Sequence, residues 1–319
     1  MRPAFLRASS LVPSFLVTST LLAAAPSARA GTLYAVGQVL DEVYVIDTAT
    51  GAATLVGVLP PSEPMCGIAF DDEGVLHGTT WNSVEDMELW QLDPWGSTAT
   101  LVGVSWDPCA EGSLAYDAST DRFYTVWQQP FGPANELLWI DPDTGVGTYV
   151  GDLGLDDLSD VSGITFLADG TLVAYDPHAT LPGRLLEIDK FTGAATVIGE
   201  IGDADFGSSQ GGLAYDPDTD TLYMSNTIEL WSIDPATGAG TLIGPHGIID
   251  QIDGLSVLPD PCMIGADLVS TLFDVNPVSG AGTTPRATGA DRFVGLAMND
   301  SGELYGLNAG AIPGLYSID

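Results

Sequence analysis

From Thr32 onward, apolar and polar positions alternate in short bursts separated by clusters of Asp, Thr, Pro and Gly. Alternation with period two marks strands that bury one face. The plainest burst is Glu229-Leu230-Trp231-Ser232-Ile233, followed by Asp234-Pro235-Ala236-Thr237-Gly238 and then Thr241-Leu242-Ile243-Gly244. Three residues before Asp234 stands a large side chain, and one before it an aliphatic one. The same holds before Asp47, Asp93, Asp141, Asp189, Asn276 and Asp319, with Tyr44, Trp90, Leu138, Leu186, Phe273 and Tyr316 as the large residues. In the turn, Pro presets φ, Asp can accept from backbone N–H groups two residues on, and Gly tolerates positive φ. Asp47, Asp141, Asp189 and Asp234 are therefore expected to serve their own hairpins. Each phrase reads as two strands joined by a tight turn.

Ahead of each phrase lies a second hairpin, cleanest in Gly212–Asn226 (GLAYDPDTDTLYMSN) and repeated from Gly67, Ser113, Gly163 and Gly295. One unit is thus four antiparallel strands, a to d, and the phrase Asp or Asn recurs every 42 to 48 residues. Four short strands repeated at this period predict an all-β fold, a β-propeller of four-stranded antiparallel blades. The count predicts seven units, with six or eight blades as alternatives. The first unit, Thr32 to about Leu59, shows no strand a, and the last stops at Asp319 after strand c. Residues 31–319 are expected to form one propeller domain, incomplete at its C-terminal end. Pro285 falls in the last strand of unit 6, which places strand d at an outer edge.

The first thirty residues have a different character. Arg2 and Arg7 precede an apolar run from Leu11 to Ala25, and Ala28-Arg29-Ala30 forms an A-x-A site before Gly31. That is the pattern of a signal peptide cleaved near Ala30, and it implies a secreted or cell-envelope protein. No later stretch reaches membrane-spanning length.

Charge narrows the partners. The chain holds 43 acidic and 8 basic residues, a formal net charge of −35. Such a surface repels nucleic acid and anionic lipid. A solvated acidic surface explains the carboxylates; calcium is the alternative cofactor. The Asp216–Asp220 run has neither Gly at its sixth position (Thr221) nor an acid at its twelfth (Thr227), so it fails the EF-hand pattern. A monomer with no bound metal or other cofactor is expected. Three cysteines, Cys66, Cys109 and Cys262, permit one disulfide in an exported chain. Cys66 and Cys109 both precede strand a of neighbouring units and form the candidate pair.

Catalytic motifs are absent or misleading. Gly207-Ser208-Ser209-Gln210-Gly211 matches G-x-S-x-G but leads into a strand, where a nucleophile elbow needs a helix. His77 takes a strand-b position held elsewhere by Tyr34, Tyr124 and Tyr223, so a packing role is expected. His246, between Pro245 and Gly247, reads as a solvated loop residue. Three b–c connections are long, and around them lie Trp81, Trp127, Phe131, Asp176 and His178. Aromatics clustered on one propeller face suit a carbohydrate or protein ligand; the tryptophans can equally cap the blade ends by packing. Asp160 and Asp253, just ahead of strand a, are the candidate funnel acids.

The phrases LYxIDPxTGxATxIG and GLAYDPxTxxLY resemble the repeats of secreted bacterial β-propeller proteins, loosely those of the NHL, YVTN and quinoprotein-like families, many without an assigned function. The resemblance covers nearly all of residues 32–319 and implies an extracellular or envelope protein, often with a sorting tail. The cofactor motifs of quinoproteins have no counterpart in this chain. Three functions are expected in turn: a non-enzymatic binding or structural propeller, a propeller lyase or glycoside hydrolase using funnel acids, or a calcium-dependent module.

Overall fold

A computed structural model describes residues 31–37, 42–59, 65–81, 87–93, 98–105, 114–128, 135–155, 159, 161–178, 182–202, 211–226, 228–248 and 251–258, and the backbone of the strands between 264 and 318. Within these residues every regular element is a strand. Blade 1 contains β1 (Thr32–Gly37), β2 (Glu42–Ile46) and β3 (Ala53–Val58). Blade 2 is β4 (Met65–Phe70), β5 (Leu76–Trp81), β6 (Met87–Asp93) and β7 (Thr98–Ser105). Blade 3 is β8 (Ala115–Asp117), β9 (Arg122–Gln128), β10 (Asn135–Ile140) and β11 (Gly147–Asp152). Blade 4 is β12 (Gly163–Phe166), β13 (Leu172–Asp176), β14 (Arg184–Ile188) and β15 (Ala195–Glu200). Blade 5 is β16 (Leu213–Asp216), β17 (Thr221–Ser225), β18 (Glu229–Ile233) and β19 (Gly240–Pro245).

The next strand, β20 (Ile252–Leu258), changes the picture. It pairs antiparallel with β1, from Thr32↔Leu258 to Val36↔Gly254, and completes blade 1 as its innermost strand. Among the described residues, five four-stranded blades thus close on one another, where the copy count predicts seven units, and the first unit is complete. Around the axis, β20 lies beside β4 and β16, and β12 lies beside β8 and β16. Later strands form two three-stranded sheets: β21 (Ile264–Ala266), β22 (Thr271–Val275) and β23 (Gly282–Ala287), then β24 (Phe293–Met298), β25 (Leu304–Asn308) and β26 (Gly314–Ile318). Pro285 lies in β23, an edge strand as expected.

The cause of the early closure stands in the sequence after β20. Other inner strands turn back through Asp- and Gly-rich hairpins with a residue at positive φ: Gly74, Asp121, Gly170 and Asp220. Leu258 is followed instead by Pro259-Asp260-Pro261. Two prolines remove backbone donors and restrict the residues before them, so a tight antiparallel return is disfavoured. The open edge of β20 goes to β1.

The apolar core is divided the same way. Five clusters form among the described residues, each between two neighbouring blades. Tyr34, Val36 and Val43 of blade 1 meet Met65, Ile68 and Leu76 of blade 2. Val173, Tyr175 and Leu185 of blade 4 meet Leu213, Leu222 and Met224 of blade 5. The closing cluster joins Tyr223 and Leu230 of blade 5 to Leu33, Tyr44, Ile46 and Leu255 of blade 1. On β1, Tyr34 faces one neighbour while Leu33 and Ala35 face the other, as period two requires.

Each phrase supplies the backbone contacts of its seam. The last glycine of strand d meets the turn of the following blade. A Cβ on Gly151 would lie 2.0 Å from the Thr192 carbonyl oxygen, and one on Gly244 would lie 2.3 Å from that of Thr50. Just beyond, Ala195 N–H donates to the Leu153 carbonyl at 2.9 Å, and Ala53 N–H donates to the His246 carbonyl at 2.9 Å. The turn aspartates act within their own hairpins: Asp47 accepts from Ala49 N, Asp141 from Asp143 N, Asp189 from Phe191 N and Asp234 from Ala236 N.

Candidate functional site

Two ends of the propeller offer sites. At the b–c end, the buried Asp176 carboxylate pairs with Arg184, eight residues on across the β13–β14 hairpin. It also accepts from the His178 N–H at 3.0 Å. Arg184 donates to Ser159 Oγ at 3.0 Å, and Asn135 Nδ2 donates to the Ser159 carbonyl. Asp176 and His178 are thus brought together, but as a buried brace between hairpin and loop. His178 holds a φ of 39° and is buried. Trp127 is half-buried at the end of β9, and Trp81 ends β5. Phe131 and Asp160 lie outside the described residues, as do Cys109, Cys262 and Ser208. Cys66 is disulfide-bonded. Asp253 sits fully buried on the innermost strand β20.

The other end holds a feature that the sequence does not suggest. An axial cavity of about 280 Å³ is lined by all five inner strands, where they run into the a–b turns. Its walls come from equivalent positions: Ala69, Ala115, Thr165, Ala214 and Ser256, then Phe70, Tyr116, Phe166, Tyr215 and Val257. Asp71 and Asp72 stand at its rim. Small residues at the first set of positions leave the space, and the aromatics wall it.

Both phenols, Ser256 and Asp71 of this cavity are engaged. The Tyr116 hydroxyl lies 2.9 Å from an Asp121 oxygen and 3.1 Å from one of Asp72 in the neighbouring blade, and its single proton is shared between the two carboxylates. Tyr215 donates to Asp220 at 2.6 Å. Burial, and then the carboxylate acceptors, raise both phenols; Tyr215 is pushed up to about 12 and Tyr116 higher still. Neither ionises near neutrality. Ser256 Oγ accepts from Phe70 N at 3.0 Å, tying β20 to β4. Asp71 accepts from Glu73 N and Val75 N within its own turn. The tyrosine clamps have a sequence signal: both Tyr blades carry a turn that ends in Asp (YDASTD, YDPDTD), and both Phe blades a shorter one ending in Gly.

Just outside the cavity, blades 3 and 5 carry buried turn carboxylates, Asp117 and Asp216, 4 % and 0 % exposed. Asp117 accepts from Ser119 N–H and its hydroxyl, Thr120 Oγ1 and, at 2.5 Å, Lys190 Nζ of blade 4. Burial pushes the Asp117 carboxyl up, but the bonds from Lys190, Ser119 and Thr120 outweigh it, and the net is downward. Asp216 accepts from Asp218 N, Thr219 Oγ1 and, at 3.2 Å, the backbone N of Gly31.

His246 departs from expectation. It is buried, 2 % exposed, because it occupies the position just past strand d where Leu59, Leu153 and Ile201 are buried in other blades. Nδ1 lies 3.0 Å from the Gly51 carbonyl and Nε2 2.9 Å from Ser225 Oγ. A carbonyl only accepts, so Nδ1 carries the proton and Nε2 receives the Ser225 hydroxyl. Burial lowers its pKa below 6.5, against smaller contributions from Gly51 and Glu229. His77 packs as expected, its ring 4.8 Å from Phe123.

Among the described residues, no three His, Cys, Asp or Glu side chains converge as a metal site would need. No helix there is long and apolar enough to cross a membrane. No family model and no curated protein matches the chain. Solved structures similar to it include TolB from Acinetobacter baumannii (10% identity, 72% of this chain and 67% of that one, TM-score 0.43). Others are a Lactobacillus plantarum protein (16%, 91% and 93%, 0.40) and the PQQ-bound aldose sugar dehydrogenase of Streptomyces coelicolor (13%, 79% and 88%, 0.45). The chain is an all-β propeller, as the pairing of its own strands shows.

Proposed function

We propose that this chain is an exported, non-enzymatic propeller that holds a small ligand in its axial cavity. The engagement of the cavity's polar groups carries the reading. Both phenols, Asp71, Asp72 and Ser256 are spent on turns and seams, which leaves a walled apolar space with no free acid–base pair facing it. Catalysis by general acid and base needs a poised group within reach of the reacting atoms. An apolar space with few polar contacts suits binding. The acidic rim and the net charge of −35 favour neutral or cationic ligands over anions.

Calorimetric titration of the exported protein against small neutral and cationic compounds, including monosaccharides and amines, tests this. Thr165→Trp, which fills the cavity from a half-buried position, should abolish binding and leave the thermal transition in place. Binding unchanged in Thr165→Trp would move the site elsewhere, the b–c end with Trp127 first. Turnover of a glycoside that disappears in Asp253→Asn would overturn the non-enzymatic reading.

A further inference from the structure

The carboxylates of Asp117 and Asp216 occupy equivalent places, each at the end of strand a, each facing the next blade in the ring. In blade 3 that next blade supplies the ammonium of Lys190 at 2.5 Å. In blade 5 it supplies the backbone nitrogen of Gly31, at 3.2 Å, from the residue just ahead of β1. Gly31 is itself buried. Among the described residues the cationic side chains are already placed: Arg184 on Asp176, Lys190 on Asp117, and Arg122 over the Trp139 ring at 3.9 Å. None of these three reaches Asp216. A fully buried carboxylate met only by neutral donors is costly, and one met by a cation much less so.

The cleavage site read from Ala28-Arg29-Ala30 would release this nitrogen. We infer that removal of the leader at Ala30–Gly31 turns the Gly31 amide into a buried α-ammonium that pairs with Asp216 and locks blade 1 to blade 5. The step is hydrolysis: water adds across the peptide bond, Ala30 leaves with the new carboxylate, and Gly31 keeps the amine, protonated beside Asp216. The neutral hydrogen bond of the precursor becomes an ion pair matching Lys190–Asp117 at the equivalent seam. The latch presupposes the exported, processed form of the proposed function.

The composition supplies a clean test. Lys190 is the only lysine in the chain, so a processed protein has two amines, Lys190 Nζ and the Gly31 terminus. The exported protein is first weighed by intact mass, then treated with an acetylating reagent at pH 8, where an ordinary α-amine is about half deprotonated. Peptide mass spectrometry reads each site against the urea-unfolded chain. The expected result is a terminus at Gly31 whose labelling is slowed about fivefold or more, a pKa rise of one unit or more. Asp216→Asn should restore fast labelling at Gly31 and leave Lys190 slow. A mature terminus other than Gly31 would remove the processing reading and the latch together. A Gly31 terminus that labels as fast in the native protein as in urea would overturn the latch alone. If Asp216→Asn does not fold, the native-to-urea ratio in the wild-type protein still decides.

Discussion

The seam between blades 3 and 4 and the seam between blades 5 and 1 are built alike but made differently. The first joins consecutive blades; the second joins the two ends of the ring. At the rim they match: Gly151 against Thr192 and Gly244 against Thr50, Leu153 accepting from Ala195 and His246 accepting from Ala53. Two of their differences change the chemistry. Leu153 becomes His246, and Lys190 on Asp117 becomes Gly31 on Asp216. The interior seam thus relies on permanent chemistry, an aliphatic side chain and a lysine. The closing seam puts a titratable imidazole and a backbone nitrogen just ahead of β1 in those places. A closing seam of this kind can respond to pH, and to the processing proposed above, without any change in the rest of the ring.

The largest expected effect comes from removing the strand that closes the ring. A chain ending at Asp250 loses β20, and with it Ile252, Leu255 and Val257 from the closing cluster. It should lose cooperative thermal unfolding and aggregate. A chain ending at Met263 keeps β20 and all three cysteines and should unfold in one calorimetric transition close to that of the full chain. Loss of cooperativity in both would show that the later sheets belong to the ring after all.

Next come the rim glycines. Gly151→Ala and Gly244→Ala each force a methyl onto a backbone carbonyl, which cannot move aside as a side chain can. Each should cost about 3 kcal/mol, the upper end of ordinary overpacking, measured by urea titration. Equal losses would confirm that closure uses the same joint as the interior; a tolerated Gly244→Ala would break the comparison.

The smallest effect is the most specific. His246 has a folded pKa below 6.5, so the unfolded chain binds its proton first as pH falls. Stability from the neutral imidazole is fully present above about pH 6.5 and declines below it. The wild-type melting temperature should therefore fall between pH 7.5 and pH 5.5. His246→Leu should remove part of that fall. The remainder belongs to His77, which burial also depresses. Leu153→His should add a new fall at the interior seam. A pH dependence identical in wild type and His246→Leu would show that the closing seam does not sense protons.

Legibility in the sequence depends on how far apart the partners lie. Strands, hairpins and their Asp turns recur within one copy, so period and turn chemistry reveal them. Ring size does not emerge from counting copies, because β20 reads as the start of unit 6 whichever sheet it joins. The clue is the Pro259-Asp260-Pro261 segment, where other units place Asp or Gly turns. Asp176 reads as a rim residue because a b–c loop is long there, yet Arg184 on the same hairpin claims it. His246 reads as solvated between Pro and Gly; only its alignment with Leu153 and Ile201 points to burial. Gly31 and Asp216 lie 185 residues apart, and no single copy shows them together.

The joint between Gly151 and Thr192, repeated at Gly244 and Thr50, has a consequence for how such chains change over generations. It is made of main chain, and both halves are carried by the same phrase. A duplicated or deleted unit arrives with its coupling already fitted at either side, needing no matched pair of mutations. Gene segments of this length can then be gained or lost by unequal recombination with little penalty to assembly. Ring size is left to whichever strand finds the open edge of β1. Among the described residues, seven copies of the phrase in the sequence accompany five blades that close on one another.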